Sequence, residues 1–368
     1  MVTGSQQLPS GHAATERGVI RKPGAGRIRV ALVYPNLYHV GMSNLGFQTV
    51  YRLFNEIDHV VCERAFLPEQ DGGKIRRVLT VESQKPIEDS DMIAFSISYE
   101  NDAPGVLTIL EAAGLPLPAA QRGATFPLVL AGGVFCFLNP EPLAPFIDAF
   151  LLGEAEALVS GFFQIFDPLA DKQENLLAMA RQVPGLYVPA FYRPRYHEDG
   201  TLAEVERLAD VPASVSRLIV PDLSDLPTAS TILTPDTTFD DTYLIEVSRG
   251  CSHGCRFCSA GYVYRPPRFR PFALLDRQVD DGCALTDRIG LVGAAVSDLP
   301  DIRELCDKDR GREVRFSFSS LRADALDRPL IEALKKGRVK TATIAPDAGS
   351  ERMRRVVNKG ITEDHVVA

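Results

Sequence analysis

Apolar residues in this chain fall into short continuous runs, separated by stretches with an apolar residue every three or four positions. Runs at 28–34 (Ile28-Arg29-Val30-Ala31-Leu32-Val33-Tyr34), 59–63, 91–98, 127–133 and 149–153 read as strands. Helical spacing predicts helices over 43–55, 103–113 and 155–166. In the first, Ser43 is placed to cap and Leu45, Val50, Leu53 and Phe54 recur on one face. Strands that are nearly all apolar and alternate with helices predict an α/β fold, a doubly wound parallel sheet over 26–185. Ligands of such sheets bind outside the carboxyl ends of the strands. Those ends carry Pro35 to Gly46, Gly132-Gly133-Val134-Phe135 with Asn139 to Pro142, and Gly153-Glu154-Ala155-Glu156.

The alternation restarts at Thr242. Strands are expected at 242–247, 288–293, 313–318 and 339–344, and helices at 272–284, 299–308, 328–336 and 349–357. Four βα units make a partial barrel over 241–368, and 361–368 reads as a capped helix just starting. Between the two blocks, 186–240 holds Pro189, Pro194, Pro212, Pro221, Pro227 and Pro235. Prolines this frequent break helices and central strands, so an extended linker with room for a small hairpin is expected there. Residues 1–25, rich in Gly, Ser, Gln and charge, read as a disordered tail.

Composition narrows the function classes. The 368 residues are 45% hydrophobic and 24% charged, with a net charge of −8. That is ordinary globular material, enough for two cores. No global positive field draws nucleic acid or anionic lipid, so RNA as a partner has no support from charge. No apolar stretch approaches the roughly 20 residues of a membrane helix, and the first 25 residues lack a secretory apolar core. Seven cysteines, an odd number, point to a reducing cytoplasmic location.

Three of the seven share one loop. Cys251, Cys255 and Cys258 stand in Ser248-Arg249-Gly250-Cys251-Ser252-His253-Gly254-Cys255-Arg256-Phe257-Cys258-Ser259, a Cys-x-x-x-Cys-x-x-Cys spacing directly after a strand. Three thiolates on one loop hold three corners of an iron–sulfur cube and leave the fourth iron open. Zinc is the competing metal. Zinc sites more often pair Cys-x-x-Cys elements a dozen or more residues apart, and the next cysteine here is the isolated Cys283. Cys62, Cys136, Cys283 and Cys306 are scattered and read as packed thiols.

The cysteine loop, with Phe257 just before its last cysteine, resembles the cluster signature of the radical S-adenosylmethionine (radical SAM) enzymes. The resemblance implies a 4Fe–4S cluster on Cys251, Cys255 and Cys258. S-adenosylmethionine would chelate the open iron and be cleaved reductively to a 5′-deoxyadenosyl radical, with electrons from a donor such as flavodoxin or ferredoxin. Later strand ends extend the likeness. Gly293 and Ala294 stand where family members present backbone to the methionine amino group, although the glutamate of the usual Gly-Gly-Glu stretch is missing. Arg322, with Ser320 beside it, matches an arginine near the methionine carboxylate. Asp347, Gly349 and Ser350, followed by Asn358-Lys359-Gly360, resemble a Glu-Ser-Gly-Ser…Asn-Lys-Gly pattern. Superfamily barrels commonly have six units, so four imply truncation within the barrel or completion by another chain.

The amino-terminal block resembles the cobalamin-binding-like Rossmann domain that precedes the barrel in one class of these enzymes. Tyr34 to Gly46, Glu63-Arg64-Ala65-Phe66, and Gly132-Gly133 through Gly153-Glu154 match one subfamily. Cobalamin is thereby a candidate cofactor, for corrinoid-assisted group transfer. The Asp-x-His-x-x-Gly motif is absent, because His39 has Leu37 two places before it. A cluster-holding or partner-binding protein without catalysis is the alternative. The substrate is not legible.

Overall fold

The computed structural model describes residues 14–367, except 69, 72, 73, 76, 309–312, 320 and 340. Two compact units divide the chain. One is Met1–Val220 with Asp236–Thr238, the other Pro221–Pro235 with Phe239–Ala368.

In the first unit, β1 (Ile28–Tyr34) leads through α1 (Tyr38–Met42) and α2 (Leu45–Glu56) to β2 (Val60–Phe66). A small hairpin, β3 (Gln70–Asp71) and β4 (Lys74–Ile75), precedes β5 (Met92–Ser96) and α3 (Ala103–Ala112). Then come β6 (Leu128–Gly132), α4 (Val134–Leu138), β7 (Ala149–Leu151), α5 (Ala155–Ile165), α6 (Lys172–Gln182) and β8 (Leu186–Tyr187). The sheet order is β2-β1-β5-β6-β7-β8, parallel except for β8, which runs antiparallel to β7. Ranked among the parallel strands, this is the doubly wound order 2-1-3-4-5, which reverses between β1 and β5.

Alternate positions of β1 feed both faces, as pleating requires. Ala31 and Val33 join a core cluster with Val106, Ile109 and Leu110 of α3. On the other face Tyr34 meets Phe47 of α2 edge-on at 5.6 Å, and Phe54 meets Phe163 of α5 at 5.1 Å. The cap of α2 differs from expectation. Asn44, not Ser43, accepts the Phe47 N–H at 2.9 Å, because Ser43 is used to end α1, with Oγ donating to the His39 carbonyl.

The expected disordered tail is corrected from residue 14 onward; residues 1–13 lie outside the described set. The Glu16 carboxylate is fully buried and accepts from Arg64 Nη1 at 2.6 Å and Nη2 at 2.8 Å, and from the Tyr38 hydroxyl at 2.6 Å. Arg64, a fully buried residue of β2, also donates from Nε to Glu82 at 2.6 Å. A buried guanidinium needs such partners, and one of them comes from the tail.

The expected 186–240 linker is shared out between the units. Besides β8, an antiparallel hairpin forms from β9 (Tyr192–Tyr196) and β10 (Leu202–Arg207), and Leu218 bridges to Gly153 in the first unit. Residues 221–235 belong to the second unit, where Ala229 bridges to Ile245.

The second unit opens with β11 (Tyr243–Glu246) and β12 (Ser248–Arg249), then α7 (Ala260–Val263), β13 (Arg268–Phe269), α8 (Phe272–Cys283), β14 (Arg288–Val292) and α9 (Ile302–Asp307). It continues with β15 (Arg315–Phe318), α10 (Arg328–Lys336), α11 (Glu351–Val356) and α12 (Glu363–Val367). β11, β14 and β15 form one parallel sheet in that order. Ile245, Ile289, Leu291 and Phe316 pack with Leu275 and Val279 of α8, Ile302 and Leu305 of α9, and Leu330 and Leu334 of α10. The expected fourth strand over 339–344 is corrected. Its described part makes a single bridge, Leu321 to Ile344, and residues 341–345 are exposed. Three paired strands therefore stand where four were expected. Among the described residues, no helix is long and apolar enough to cross a membrane.

Candidate functional site

The cysteine loop is built at the carboxyl end of β11 and β12. Gly250 turns it with φ +89°, and a Cβ there would lie 2.2 Å from the Tyr264 carbonyl oxygen. Only glycine satisfies both demands. Beneath the loop, Arg270 is fully buried. Its guanidinium donates to the carbonyls of Leu223 and Leu226, to Thr228 Oγ1 at 2.8 Å and to the Glu246 carboxylate. Arg249 adds a second bond to Glu246 at 2.8 Å. Burial pushes the Glu246 carboxyl up, but Arg249 and Arg270 outweigh it and hold it below the usual carboxylate range.

Cys255 is buried, while Cys251 and Cys258 are half-exposed. The Cys258 N–H bonds to the Cys255 carbonyl at 3.2 Å, folding those two into one turn. Burial pushes the Cys251 thiol up, the His253 backbone bond pulls it down, and Asp298, Cys255 and Cys258 push it further up. Among the described residues, no three His, Cys, Asp or Glu side chains form a ready metal cage. The donor set suits a soft, thiolate-bound centre.

Two further segments reach the loop, and a third binds both of those. From the end of β14, the Asp298 carboxylate accepts from Ser252 Oγ at 3.1 Å and from His253 Nε2 at 2.8 Å. Past α11, Asn358 Nδ2 donates to the Gly254 carbonyl at 2.7 Å. Arg256 answers with its N–H on the Val357 carbonyl at 3.0 Å and its guanidinium on that of Val356 at 2.7 Å. From the end of β15, Arg322 donates to the Lys359 carbonyl at 3.2 Å and receives Ser297 Oγ on its own N–H at 3.1 Å.

The other expected cofactor residues are placed as follows. Gly293 lies at the end of β14, where its carbonyl accepts from Ser319 Oγ at 2.9 Å; Ala294 is exposed beside it. Arg322 is paired with Asp324 at 2.7 and 3.0 Å, so it receives a cofactor carboxylate only by exchanging that partner. Asp347, at φ +63°, pairs with Lys359 at 2.5 Å, and Lys359 Nζ sits 5.9 Å from the Phe257 ring centre. Gly349 is exposed, and Ser350 caps α11 through the Met353 N–H. Ser320 lies outside the described residues. Cys62, Cys136, Cys283 and Cys306 are all buried, and burial pushes the Cys136 thiol up to about 12.

Two arrangements escaped the sequence reading. Asp298 stands in the loop that lacks the family glutamate, and its reach to His253 spans 45 residues. Glu246 did leave a signal, as the one charge in the apolar run 242–247.

Residues 46–189 match the family of radical SAM proteins, N-terminal, and residues 245–368 match the radical SAM superfamily. The chain belongs to the radical SAM superfamily. The cofactors of the superfamily are a 4Fe–4S cluster and S-adenosylmethionine.

Uncharacterized protein MJ0966 of Methanocaldococcus jannaschii is 29% identical over 336 residues, 91% of this chain and 64% of that protein. Among solved structures, the radical SAM methyltransferase TsrM of Kitasatospora setae, with tryptophan substrate and a SAM analogue, matches with a TM-score of 0.51. The identity is 13%, over 91% of this chain and 62% of that one, so the likeness is one of fold. The same enzyme with cobalamin and a 4Fe–4S cluster matches at 0.49, with 13% identity, over 91% of this chain and 64% of that one. This radical SAM chain thus spans just under two thirds of the length of these relatives.

Proposed function

We propose that this chain is a radical SAM enzyme whose cluster is held by Cys251, Cys255 and Cys258, with S-adenosylmethionine on the open iron. One observation carries the reading: the segments after β14 and after α11 both hydrogen-bond to the cysteine loop at the carboxyl end of β11, and Arg322 after β15 binds both of them, so the loop sits among carboxyl ends of parallel strands, where barrel enzymes keep their chemistry. A cluster and S-adenosylmethionine held there would supply reductive cleavage of the sulfonium and, through it, radical chemistry at an unreactive carbon.

The chain's own residues bind and orient. Gly293 keeps its position free of a side chain, where a Cβ would meet Ser248 Oγ at 2.7 Å, and leaves backbone for a cofactor amino group. Arg322 supplies a planar guanidinium for a carboxylate. A small electron donor such as flavodoxin or ferredoxin is the expected partner. Dithionite reduction of the reconstituted protein with S-adenosylmethionine is expected to release 5′-deoxyadenosine and methionine. A full cluster with the cofactor left intact would instead make this a cluster-holding or partner-binding protein.

A second reading adds corrinoid-assisted group transfer, favoured by the 2-1-3-4-5 order of the first unit. The residues fit this group less well. His39 is exposed and outside any cobalt-ligand motif. The crevice between β1 and β5 is crossed by Asn36 on Asp102 at 3.0 Å and Asn44 on Ser98 at 2.9 Å. A corrinoid here would bind without a protein imidazole. Cobalamin that does not co-elute with the protein after incubation would remove this addition alone.

A further inference from the structure

Away from the cysteine loop, the first unit carries a cleft that the chemistry proposed above does not use. It encloses about 260 Å³. Its walls come from Leu152 just after β7, Tyr187 of β8, Tyr192 and Val205 of the β9–β10 hairpin, the Pro140–Glu141 turn and residues 213–215. Most of this lining is apolar or aromatic. The Tyr187 ring is seated on the core, stacked on the fully buried Phe150 at 6.0 Å. The Tyr192 ring lies 5.4 Å from that of Tyr187, and its hydroxyl donates to the Pro212 carbonyl at 2.7 Å. Rings held in this way offer flat apolar surface with little rotamer freedom left to lose.

One charged side chain joins them. Glu141 stands between Pro140 and Pro142, and its N–H donates to Asn139 Oδ1 at 3.1 Å, so its backbone is set by its neighbours. The Tyr187 hydroxyl donates to Glu141 Oε1 at 2.7 Å. Burial and that carboxylate push the Tyr187 phenol up, which keeps it a donor. A tyrosine orients a carboxylate without neutralising it. Among the described residues, no Lys, Arg or His lines the cleft, and Glu141 has no ion-pair partner. An anion would face an uncompensated carboxylate here, and a neutral apolar molecule would leave that carboxylate unused. A cation with an apolar body suits both parts of the lining. The volume lies below the roughly 300–1,000 Å³ of drug-sized sites, which limits the ligand to one ring or a short chain.

We propose that this cleft binds a small primary amine, with its ammonium on Glu141 Oε2 and its apolar body against Tyr187 and Tyr192. The site lies within the first unit and does not rest on the cluster assignment.

The test is calorimetric titration of the full chain with phenethylamine, and with 2-phenylethanol and 3-phenylpropionate as its neutral and anionic counterparts. Saturable binding of the amine is expected, with the alcohol at least about 10-fold weaker and the anion not bound. Glu141→Gln keeps the shape and an acceptor for Tyr187. It should weaken the amine about 10- to 100-fold, the effect of losing one charge-assisted hydrogen bond, and leave the alcohol unchanged. Tyr187→Phe keeps the ring but releases the carboxylate, and a fall of about 3- to 10-fold is expected. Val205→Trp fills the cleft from an exposed strand position and should abolish binding of amine and alcohol alike. It replaces Glu141→Gln as the deciding variant should circular dichroism show the latter unfolded. A folded parent that binds no amine, equal affinity for the amine and either counterpart, or parental affinity in the deciding variant overturns the proposal.

Discussion

Single residues set the cysteine loop, and their contributions are separable. Gly250 combines a left-handed backbone with a carbonyl 2.2 Å from any Cβ. Gly250→Ala should therefore distort the loop and cut iron uptake more than the fold, read as iron content against circular dichroism. Equal iron in both proteins would contradict this. Glu246 gives a pH signature. Its folded pKa lies below its ordinary value of 4.5, because Arg249 and Arg270 outweigh burial. The stabilisation is complete above that value and disappears as pH falls through the lower folded pKa. Glu246→Gln should be less stable than the parent at pH 7, with the gap closing on acidification; denaturation curves with a constant gap would count against it. The three cysteines were legible because their chemistry needs a fixed spacing. Asp298 was not, since nothing in sequence tells which of several loop carboxylates reaches a histidine 45 residues away.

Elements were legible where apolar runs are continuous. The five parallel strands of the first unit and the three of the second fall on the expected runs. The run at 339–344 is rich in β-branched residues like a strand, yet its described backbone finds one bridge partner at Leu321. Pattern reports what a segment buries, whereas pairing depends on a neighbour elsewhere in the chain. The tail was misread for a related reason. Its composition is rich in Gly, Ser, Gln and charge, and the decisive residue is one carboxylate, Glu16, matched to one buried guanidinium on β2. Glu16→Ala should cost on the order of 3 kcal/mol, as expected for breaking a buried pair. Chemical denaturation measures it, and a loss under about 0.5 kcal/mol, the range of an ordinary surface change, would contradict the buried pairing. Asn358→Ala removes the hold of the 356–358 segment on the loop at Gly254. Faster release of iron to a chelator than from the parent is expected; an unchanged rate would show that the Arg256 bonds suffice.

At the scale of the molecule, the two units have separate cores. Cys251, Cys255 and Cys258 belong to the second, whereas Cys136 is packed in the core cluster of the first. A doubly wound parallel sheet and barrel-like βα alternation could both be inferred from sequence, because each repeats a simple period, whereas the strand order could not. The division of 186–240 between the units could not, since prolines forbid elements without saying where a strand will dock. Substrate identity stays beyond both, as function resides in sites and not in folds. The most direct measurement is iron and acid-labile sulfide per chain after anaerobic reconstitution, for the parent and for Cys255→Ala. About four of each in the parent, with loss in the variant, is the expected result for a thiolate-held 4Fe–4S cluster. A parent free of iron and sulfide, or a variant that keeps the same metal, would contradict it.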